Sequence, residues 1–241
     1  MDKRYKLVWS DEFTNDGKPD VTKWQYCIGG TGFGNNEKQY YTGVESENAY
    51  ISNGKLIIEA KKEEVGNCQY TSAKLTTFNK QAWTYGRFEI RAKMPRGSGM
   101  WPAIWMLPDA LNEGVERWPN CGEIDIMENV GRHADRVHFS LHSEFNNHKL
   151  GTQFTKVIDL EDIADEFYTY SVIWEEDYIE FCIDDFSYYK VERECYRQEW
   201  PFNKPFYLIL NVAVGGDWGG KIDESVFPQK MEVEFVRVYQ K

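Results

Sequence analysis

Three acidic residues lie within six positions of the segment Cys121–Asn129, at Glu123, Asp125 and Glu128. Large apolar residues separate them and can anchor the opposite face of a β-strand. Two carboxyl groups held about 5–5.5 Å apart can open a glycosidic bond with retention of configuration. One attacks the anomeric carbon, and the other protonates the leaving oxygen and then activates water. This segment is therefore the first candidate for chemistry.

A regular strand does not place these three acids on one face. Glu123 and Asp125 point the same way, but Glu128 lies five residues after Glu123 and should point into the core. Because an unpaired buried carboxylate is costly, we predict a one-residue β-bulge near Ile126 and Met127. The bulge would return Glu128 to the face of the other two acids.

A row of three acids repels itself, and this repulsion raises the pKa of one glutamate so that it stays protonated until the reaction needs the proton. Asp125 could share a proton with Glu123 or accept a hydrogen bond beside it. Two alternatives use the same residues. Hard carboxylate oxygens also suit a calcium ion, and an acidic edge can simply be solvated.

Composition narrows the class of protein. The 241 residues, 41% of them hydrophobic, predict one compact domain over residues 1–241. A net charge of −11 disfavours nucleic acid and anionic membrane surfaces as partners. Aromatic residues make up 16% of the chain, and aromatic faces outside a core stack on sugars. A carbohydrate partner is favoured, although an aromatic-rich β-core is an alternative.

Other classes are excluded by simple patterns. Five cysteines without CxxC spacing disfavour zinc fingers and thioredoxin chemistry. No apolar run approaches the roughly 18–20 residues of a membrane-spanning helix. The start Met1–Arg4 is not followed by an apolar stretch, so we expect no secretory signal in this sequence.

Apolar alternation between turns predicts an all-β domain of two packed antiparallel sheets, a sandwich or jelly roll. Asn53-Gly54 and Asp184-Asp185 are predicted hairpin turns, and Asp159–Asp165 a short helical turn. The predicted strands are Lys6–Trp9, Ala49–Ser52, Lys55–Ala60, Tyr85–Met94, Gly99–Leu107, Glu123–Glu128, Val137–His142, Thr169–Trp174, Tyr178–Ile183, Ser187–Val191, Phe206–Val214 and Met231–Tyr239.

Alternation also separates the faces of single strands. In the segment Arg87–Ala92 the charged residues share one parity, and that face could be a solvated surface or a substrate cleft. Trp101 and Trp105 share a parity too, and they could fill the core or floor a sugar groove.

The segment Glu-Ile-Asp-Ile-Met-Glu resembles the active-site signature of glycoside hydrolase family 16, in the bulged form of its laminarinase-like branch, the endo-β-1,3-glucanases. The resemblance covers most of the chain, and it implies a concanavalin-like β-jelly roll whose concave sheet holds an open groove. It is carried by Trp9-Ser10-Asp11-Glu12-Phe13, Asn35-Asn36-Glu37, Gln39-Tyr40-Tyr41, Glu47-Asn48-Ala49, Tyr85–Arg91, Trp101-Pro102-Ala103-Ile104-Trp105, Gly215-Gly216-Asp217-Trp218 and Val236-Arg237-Val238-Tyr239.

Residue roles follow from this resemblance. It implies that Glu123 is the nucleophile, that Glu128 is the general acid/base and that Asp125 assists Glu123. The residues that it implies for substrate binding are Asn48, Glu89, Arg91, Trp101, Trp105, Trp118, His142 and Trp218. Relatives also resemble one another in a structural calcium site, whose ligands here would be Glu12, the Gly54 carbonyl and Glu234.

The resemblance implies a secreted or cell-surface, endo-acting, retaining hydrolase that cleaves β-1,3-glucan and mixed-linkage β-1,3-1,4-glucan. We expect a monomer with no cofactor for catalysis. One alternative is a family relative that acts on another polysaccharide, such as a galactan. Another is a non-catalytic, lectin-like jelly roll, although a binding module has no use for two repelling glutamates in one groove.

Overall fold

Short strands and tight turns make up most of the computed structural model, which describes residues 4–112, 114, 116–196 and 200–241. The helical segments are α1 (Asp109–Asn112), α2 (Gly216–Gly219) and the 3₁₀ turns Gly131–His133, Arg193–Cys195 and Glu224–Val226. The strands are β1 (Lys6–Asp11), β2 (Gln25–Tyr26), β3 (Gln39–Tyr41), β4 (Ala49–Ser52), β5 (Lys55–Ala60), β6 (Tyr70–Ser72), β7 (Lys74–Thr76), β8 (Gly86–Lys93), β9 (Met100–Pro108), β10 (Glu123–Glu128), β11 (Arg136–His142), β12 (Phe154–Asp159), β13 (Tyr168–Trp174), β14 (Tyr178–Ile183), β15 (Phe186–Glu192), β16 (Phe206–Val214) and β17 (Gln229–Gln240).

Two large antiparallel sheets contain most of these strands. The outer sheet has the order β15-β14-β13-β8-β17-β5-β4, with β1 also paired to β17. The groove sheet has the order β12-β11-β10-β9-β16-β7-β2, and β3 and β6 form a small parallel pair. The all-β prediction of two packed antiparallel sheets is confirmed.

The core lies between the two sheets, and strand alternation fills it. On β8 of the outer sheet, Phe88, Ile90 and Ala92 are fully buried and belong to the same cluster as Ile104 and Phe139 of the groove sheet. Burying a large apolar side chain stabilises the fold by about 1.5–3 kcal/mol. The opposite parity of the groove-sheet strands carries polar and aromatic residues together with a few aliphatic ones, such as Leu107 and Ile209.

Both predicted hairpin turns are present, and the helical turn predicted over Asp159–Asp165 is formed only in part. Asn53 and Gly54 have φ angles of 52° and 71°, as the tight turn between β4 and β5 requires. Asp184 has a φ of 52° between β14 and β15. Asp159 is the last residue of β12, and Asp162 has a left-handed φ of 57°. The turn is therefore confined to the residues after Asp162, whose carbonyl accepts hydrogen bonds of 2.8 Å from the N–H groups of Asp165 and Glu166.

Five strands were not predicted from the sequence. Four of them, β2, β3, β6 and β7, have only two or three residues, too few for alternation to be visible. The fifth, β12, is an edge strand with mostly exposed side chains. Among the described residues, no helix is long and apolar enough to cross a membrane.

Candidate active site

The acidic strand β10 lies near the centre of the groove sheet, between β9 and β11. Asp125 is opposite Ser140 of β11, and Glu128 is opposite His138, so two residues of β10 fit where regular pairing has room for one. The additional residues Ile126 and Met127 are both fully buried. The predicted bulge is therefore confirmed, and all three acids line one cavity.

Glu123 is held by two groups that come from other parts of the chain. The indole Nε1 of Trp118 donates a hydrogen bond of 3.0 Å to Glu123 Oε2, and Nε2 of His142 lies 3.8 Å from Oε1. Burial and the neighbouring charge of Asp125 raise the pKa of Glu123 to about 8, although His142 and the Trp118 N–H act in the opposite direction. The side chain is 15% exposed, so a substrate atom can reach it.

Asp125 is the most enclosed of the three acids, with 3% of its side chain exposed. Nε2 of His142 lies 3.0 Å from Asp125 Oδ2. Burial raises the pKa of Asp125 to about 8, while hydrogen bonding with the Glu123 carboxyl lowers it. Asp125 and Glu123 therefore behave as a coupled pair that can share a proton.

Glu128 has an indole donor of its own. Trp101 Nε1 donates a hydrogen bond of 3.0 Å to Glu128 Oε1. Burial, followed by the charge of Asp125, raises the pKa of Glu128 to about 8. Each of the two glutamates is thus oriented by a different tryptophan.

His142 makes the two ends of the acidic row unequal. Its Nδ1 accepts a hydrogen bond of 3.3 Å from the backbone N–H of His148, so the proton of the neutral ring is on Nε2. Nε2 is the atom that faces Asp125 and Glu123. This N–H favours negative charge at the Glu123–Asp125 end, and the remaining proton is favoured on Glu128.

A cavity of about 980 Å³ surrounds the acids. Its lining residues come from β7, β16, β9, β10, β11 and β12, so it crosses most of the groove sheet. Five of the residues predicted to bind substrate line it: Trp101, Trp105, Trp118, His142 and Trp218. A groove with aromatic walls and carboxyl groups on its floor is suited to a sugar chain.

Three other residues predicted to bind substrate do not line this cavity, and the structure contradicts the prediction for them. Glu89 and Arg91 project from the outer sheet, where Glu89 pairs with Arg87 and Arg91 pairs with Glu234. Asn48 is 1% exposed, and its amide group donates to the Glu59 carbonyl and to Thr71. The polar face of β8 thus takes part in a network of ion pairs, and Asn48 links its own segment to Glu59 and Thr71.

The residues predicted to bind calcium do not fit that ion as arranged here. Arg237 donates two hydrogen bonds, of 3.0 and 2.8 Å, to the Glu12 carboxylate. Arg91 donates one of 2.7 Å to Glu234, and Gly54 belongs to the β4–β5 hairpin. A guanidinium group beside each carboxylate satisfies its charge and repels a cation.

Within the part of the chain that the structure describes, one group of side chains has spacing suited to a metal ion. The ligand atoms of Glu123, Asp125 and His142 lie within 4.8 Å of one another. These are the residues already placed at the centre of the acidic row, and their geometry is equally that of a proton-sharing cluster.

Sequence reasoning missed a polar chain on the floor of the groove. Trp105 Nε1 donates to Asn211 Oδ1 at 2.7 Å, Asn211 donates to the Tyr41 hydroxyl at 3.0 Å, and this hydroxyl donates to Glu37 at 3.3 Å. Lys74 Nζ lies 4.6 Å from the centre of the Trp105 ring. Glu37 and Tyr41 are in segments that carried the family resemblance, whereas Lys74 is on the unpredicted β7.

Comparison with known proteins gives consistent matches. Residues 36–236 match the family described as Glycosyl hydrolases family 16. A beta-glucanase of Rhodothermus marinus is 48% identical over 244 residues, which cover 98% of this chain and 85% of that protein. The X-ray structure of the laminarinase from Rhodothermus marinus superposes with a TM-score of 0.94 at 48% identity, covering 98% of this chain and 97% of that one.

A second relative is longer than this chain. The glucan endo-1,3-beta-glucosidase A1 of Niallia circulans is 37% identical over 265 residues, which cover 97% of this chain and 38% of that protein. The region of similarity includes the acidic strand and the tryptophans of the groove, since it spans nearly the whole chain.

Proposed function

This chain belongs to glycosyl hydrolase family 16, and from that premise we propose that it cleaves β-1,3-glucan within the polymer chain, with retention of configuration. The observation that carries the proposal is the row of Glu123, Asp125 and Glu128 on one face of β10, inside a cavity lined by tryptophans. The names of the two relatives, a beta-glucanase and a glucan endo-1,3-beta-glucosidase, support glucan as the substrate.

In the first step, Glu123 attacks the anomeric carbon while Glu128 donates its proton to the leaving oxygen. The bond from carbon to the leaving sugar breaks, and an ester between carbon and Glu123 forms. Asp125, which is hydrogen-bonded to Glu123, takes up the proton shared by this pair so that Glu123 reacts as an anion. In the second step, Glu128 removes a proton from water, which attacks the same carbon and releases Glu123.

Every group in this sequence of steps is a carboxyl group of the chain or a water molecule. The proposal therefore assigns no metal or cofactor to the reaction. Opposite protonation states of Glu123 and Glu128 are essential to it. The placement of His142 beside the Glu123–Asp125 pair supports that assignment.

Internal cleavage is supported by the extent of the groove. Its lining residues come from six adjacent strands, which span about 24 Å at the usual spacing of about 4.8 Å. A polymer can lie across such a groove on both sides of β10. We further propose that the protein works as a monomer. We also propose that it is secreted or at the cell surface, since a polysaccharide does not enter a cell.

The test is product analysis with four polymers: laminarin, lichenan, agarose and xyloglucan. We expect short β-1,3-linked oligosaccharides from laminarin, with the β-anomer formed first in an NMR time course. Lichenan measures whether mixed-linkage glucan is also cut. Glu123→Gln is the matched control, because it keeps the shape of the side chain and removes the nucleophile.

Three results would contradict the proposal. Products from agarose but not from laminarin would assign a galactan as the substrate. Binding of laminarin without products from any polymer would indicate a carbohydrate-binding module. If Glu123→Gln retained more than trace activity, another residue would be the nucleophile.

A further inference from the structure

One wall of the groove is an arc of three aromatic rings around Glu128. The Trp218 ring is perpendicular to the Trp101 ring, with their centres 5.3 Å apart. It is also perpendicular to the His138 ring at 4.9 Å. Trp101 donates the hydrogen bond to Glu128, and His138 is directly opposite Glu128 on β11. Trp218 thus bridges the two side chains that flank this carboxyl group.

Packing alone does not account for a histidine in this wall. Nε2 of His138 is buried and has no hydrogen-bond partner among the described residues. An unsatisfied buried polar atom of this kind costs about 1–3 kcal/mol. The perpendicular contact with Trp218 is the interaction that the ring makes here, and it places the edge of one ring against the face of the other.

The turn that carries Trp218 is built into the wall. Gly215, Gly216 and Gly220 have φ angles of 66°, 77° and 75°, which residues with side chains rarely adopt. A Cβ atom on Gly216 would lie 2.8 Å from the Asn35 carbonyl oxygen. The turn is therefore seated against its surroundings, and the orientation of the Trp218 ring depends on the rings that it contacts.

We propose that His138 is a positioning residue for the general acid/base: its ring holds the Trp218 indole against Trp101, and this closed arc keeps water away from the Glu128 carboxyl group. The inference rests on the proposed function, because it concerns the acid that this function requires. It assigns His138 a role through Trp218, without contact with the reacting atoms.

Exclusion of water has a defined electrostatic consequence. Burial is the main reason why the pKa of Glu128 is raised. Burial also lowers the pKa of His138 to about 4, with further lowering by Arg136, His133 and Arg132, so the ring is neutral at working pH. A neutral ring shields Glu128 without stabilising its anion.

The other titratable groups that face Glu128 are few among the described residues. Asp125 on the same strand raises its pKa, and His142 on β11 lowers it. On the turn, the Asp217 carboxylate accepts hydrogen bonds from Asn36. A variant at position 138 leaves all of these groups in the chain, so it tests the effect of the aromatic arc on Glu128 separately from theirs.

The experiment compares His138→Ala with His138→Phe, which keeps an aromatic ring. The measurement is kcat/KM against pH, for laminarin and for an aryl β-1,3-glucan oligosaccharide whose leaving group needs no proton. The wild type is tested on laminarin first. If it does not hydrolyse laminarin, the proposed function is wrong, and this result says nothing against the role of His138. Thermal denaturation of each variant shows whether it is folded.

We expect His138→Ala to lower the pKa of Glu128 and so to move the basic limb of the kcat/KM profile for laminarin down by about one pH unit. A shift of one unit corresponds to a tenfold change in the protonated fraction of Glu128 at a pH above the limb. The aryl substrate should be cleaved at the wild-type rate, and His138→Phe should restore the limb. Adding His138→Ala to Trp218→Ala should shift the limb no further, because His138 acts through Trp218. An unchanged limb in a folded His138→Ala variant, or equal losses on both substrates, would overturn the proposal.

Discussion

Replacing Trp118 by phenylalanine removes one hydrogen bond from the nucleophile and keeps an aromatic ring beside His142 and His148. The indole N–H donates to Glu123 Oε2 at 3.0 Å, and a phenyl ring can occupy most of the same space. This N–H stabilises the ionised form of Glu123, so its loss should raise the pKa of Glu123 further above its usual range. The reaction needs Glu123 as an anion, and the acid limb of kcat/KM should therefore move to higher pH.

The size of the effect follows from the type of bond. A hydrogen bond to a charged group contributes about 1.5–3 kcal/mol, and one pKa unit corresponds to about 1.36 kcal/mol. The acid limb should thus move up by about one to two pH units. Below that limb, kcat/KM should fall by about ten- to a hundredfold.

The assay is the pH dependence of kcat/KM on an aryl β-1,3-glucan oligosaccharide. Trp105→Phe is the matched control, since the Trp105 indole donates to Asn211 and to no carboxylate. Its acid limb should stay in place, whatever happens to substrate affinity. An unchanged limb in Trp118→Phe, or the same shift in both variants, would refute the assignment of Trp118 as the donor that tunes Glu123.

Three further predictions concern stability and strand geometry. The pKa of Glu123 is raised on folding, so the wild type loses stability as pH rises from about 4 to 8. Glu123→Gln should therefore gain about 1–3 kcal/mol in urea denaturation at pH 8 and nothing at pH 4; no gain at pH 8 contradicts this. Glu232 behaves oppositely: burial raises its pKa, but bonds from lysines lower it overall. Its contribution is present at pH 7 and lost as pH falls below about 4, so Glu232→Gln should cost about 1 kcal/mol only at pH 7. Deleting Met127 should leave a regular strand with all three acids on one face, so that this variant still hydrolyses an aryl glycoside. Deleting Ile124 should turn Glu123 away from the groove and abolish that hydrolysis. Equal rates of hydrolysis by the two deletion variants would refute the bulge argument.

The acidic strand was predictable because its constraints are local. The burial of Ile126 and Met127 and the cost of burying Glu128 together require a bulge at one place, and the structure has it there. Trp101 and Trp105 were placed on one face by parity alone, and both line the groove. Alternation over a few residues is enough for predictions of this kind.

The errors came from questions that alternation does not decide. The charged parity of β8 is real, but the sequence does not say whether that face meets the groove or the solvent. Pairing of β8 with β13 and β17 puts it in the outer sheet, so Glu89 and Arg91 form ion pairs there. Sheet membership depends on long-range pairing, which no local pattern contains.

The protonation states of the acids have the same long-range origin. Three carboxyl groups on one strand are nearly equivalent by sequence, and burial raises the pKa of each. They become different because Trp118 and His142 approach the Glu123 end, while Trp101 and the His138–Trp218 pair enclose the Glu128 end. The register of β10 with β11 sets which histidine faces which acid. The division of labour between nucleophile and acid is thus a property of sheet register, because a shift of this register by one residue would place Leu141 or Ser143 opposite Glu123 and turn both histidines away from the acids without altering any catalytic residue.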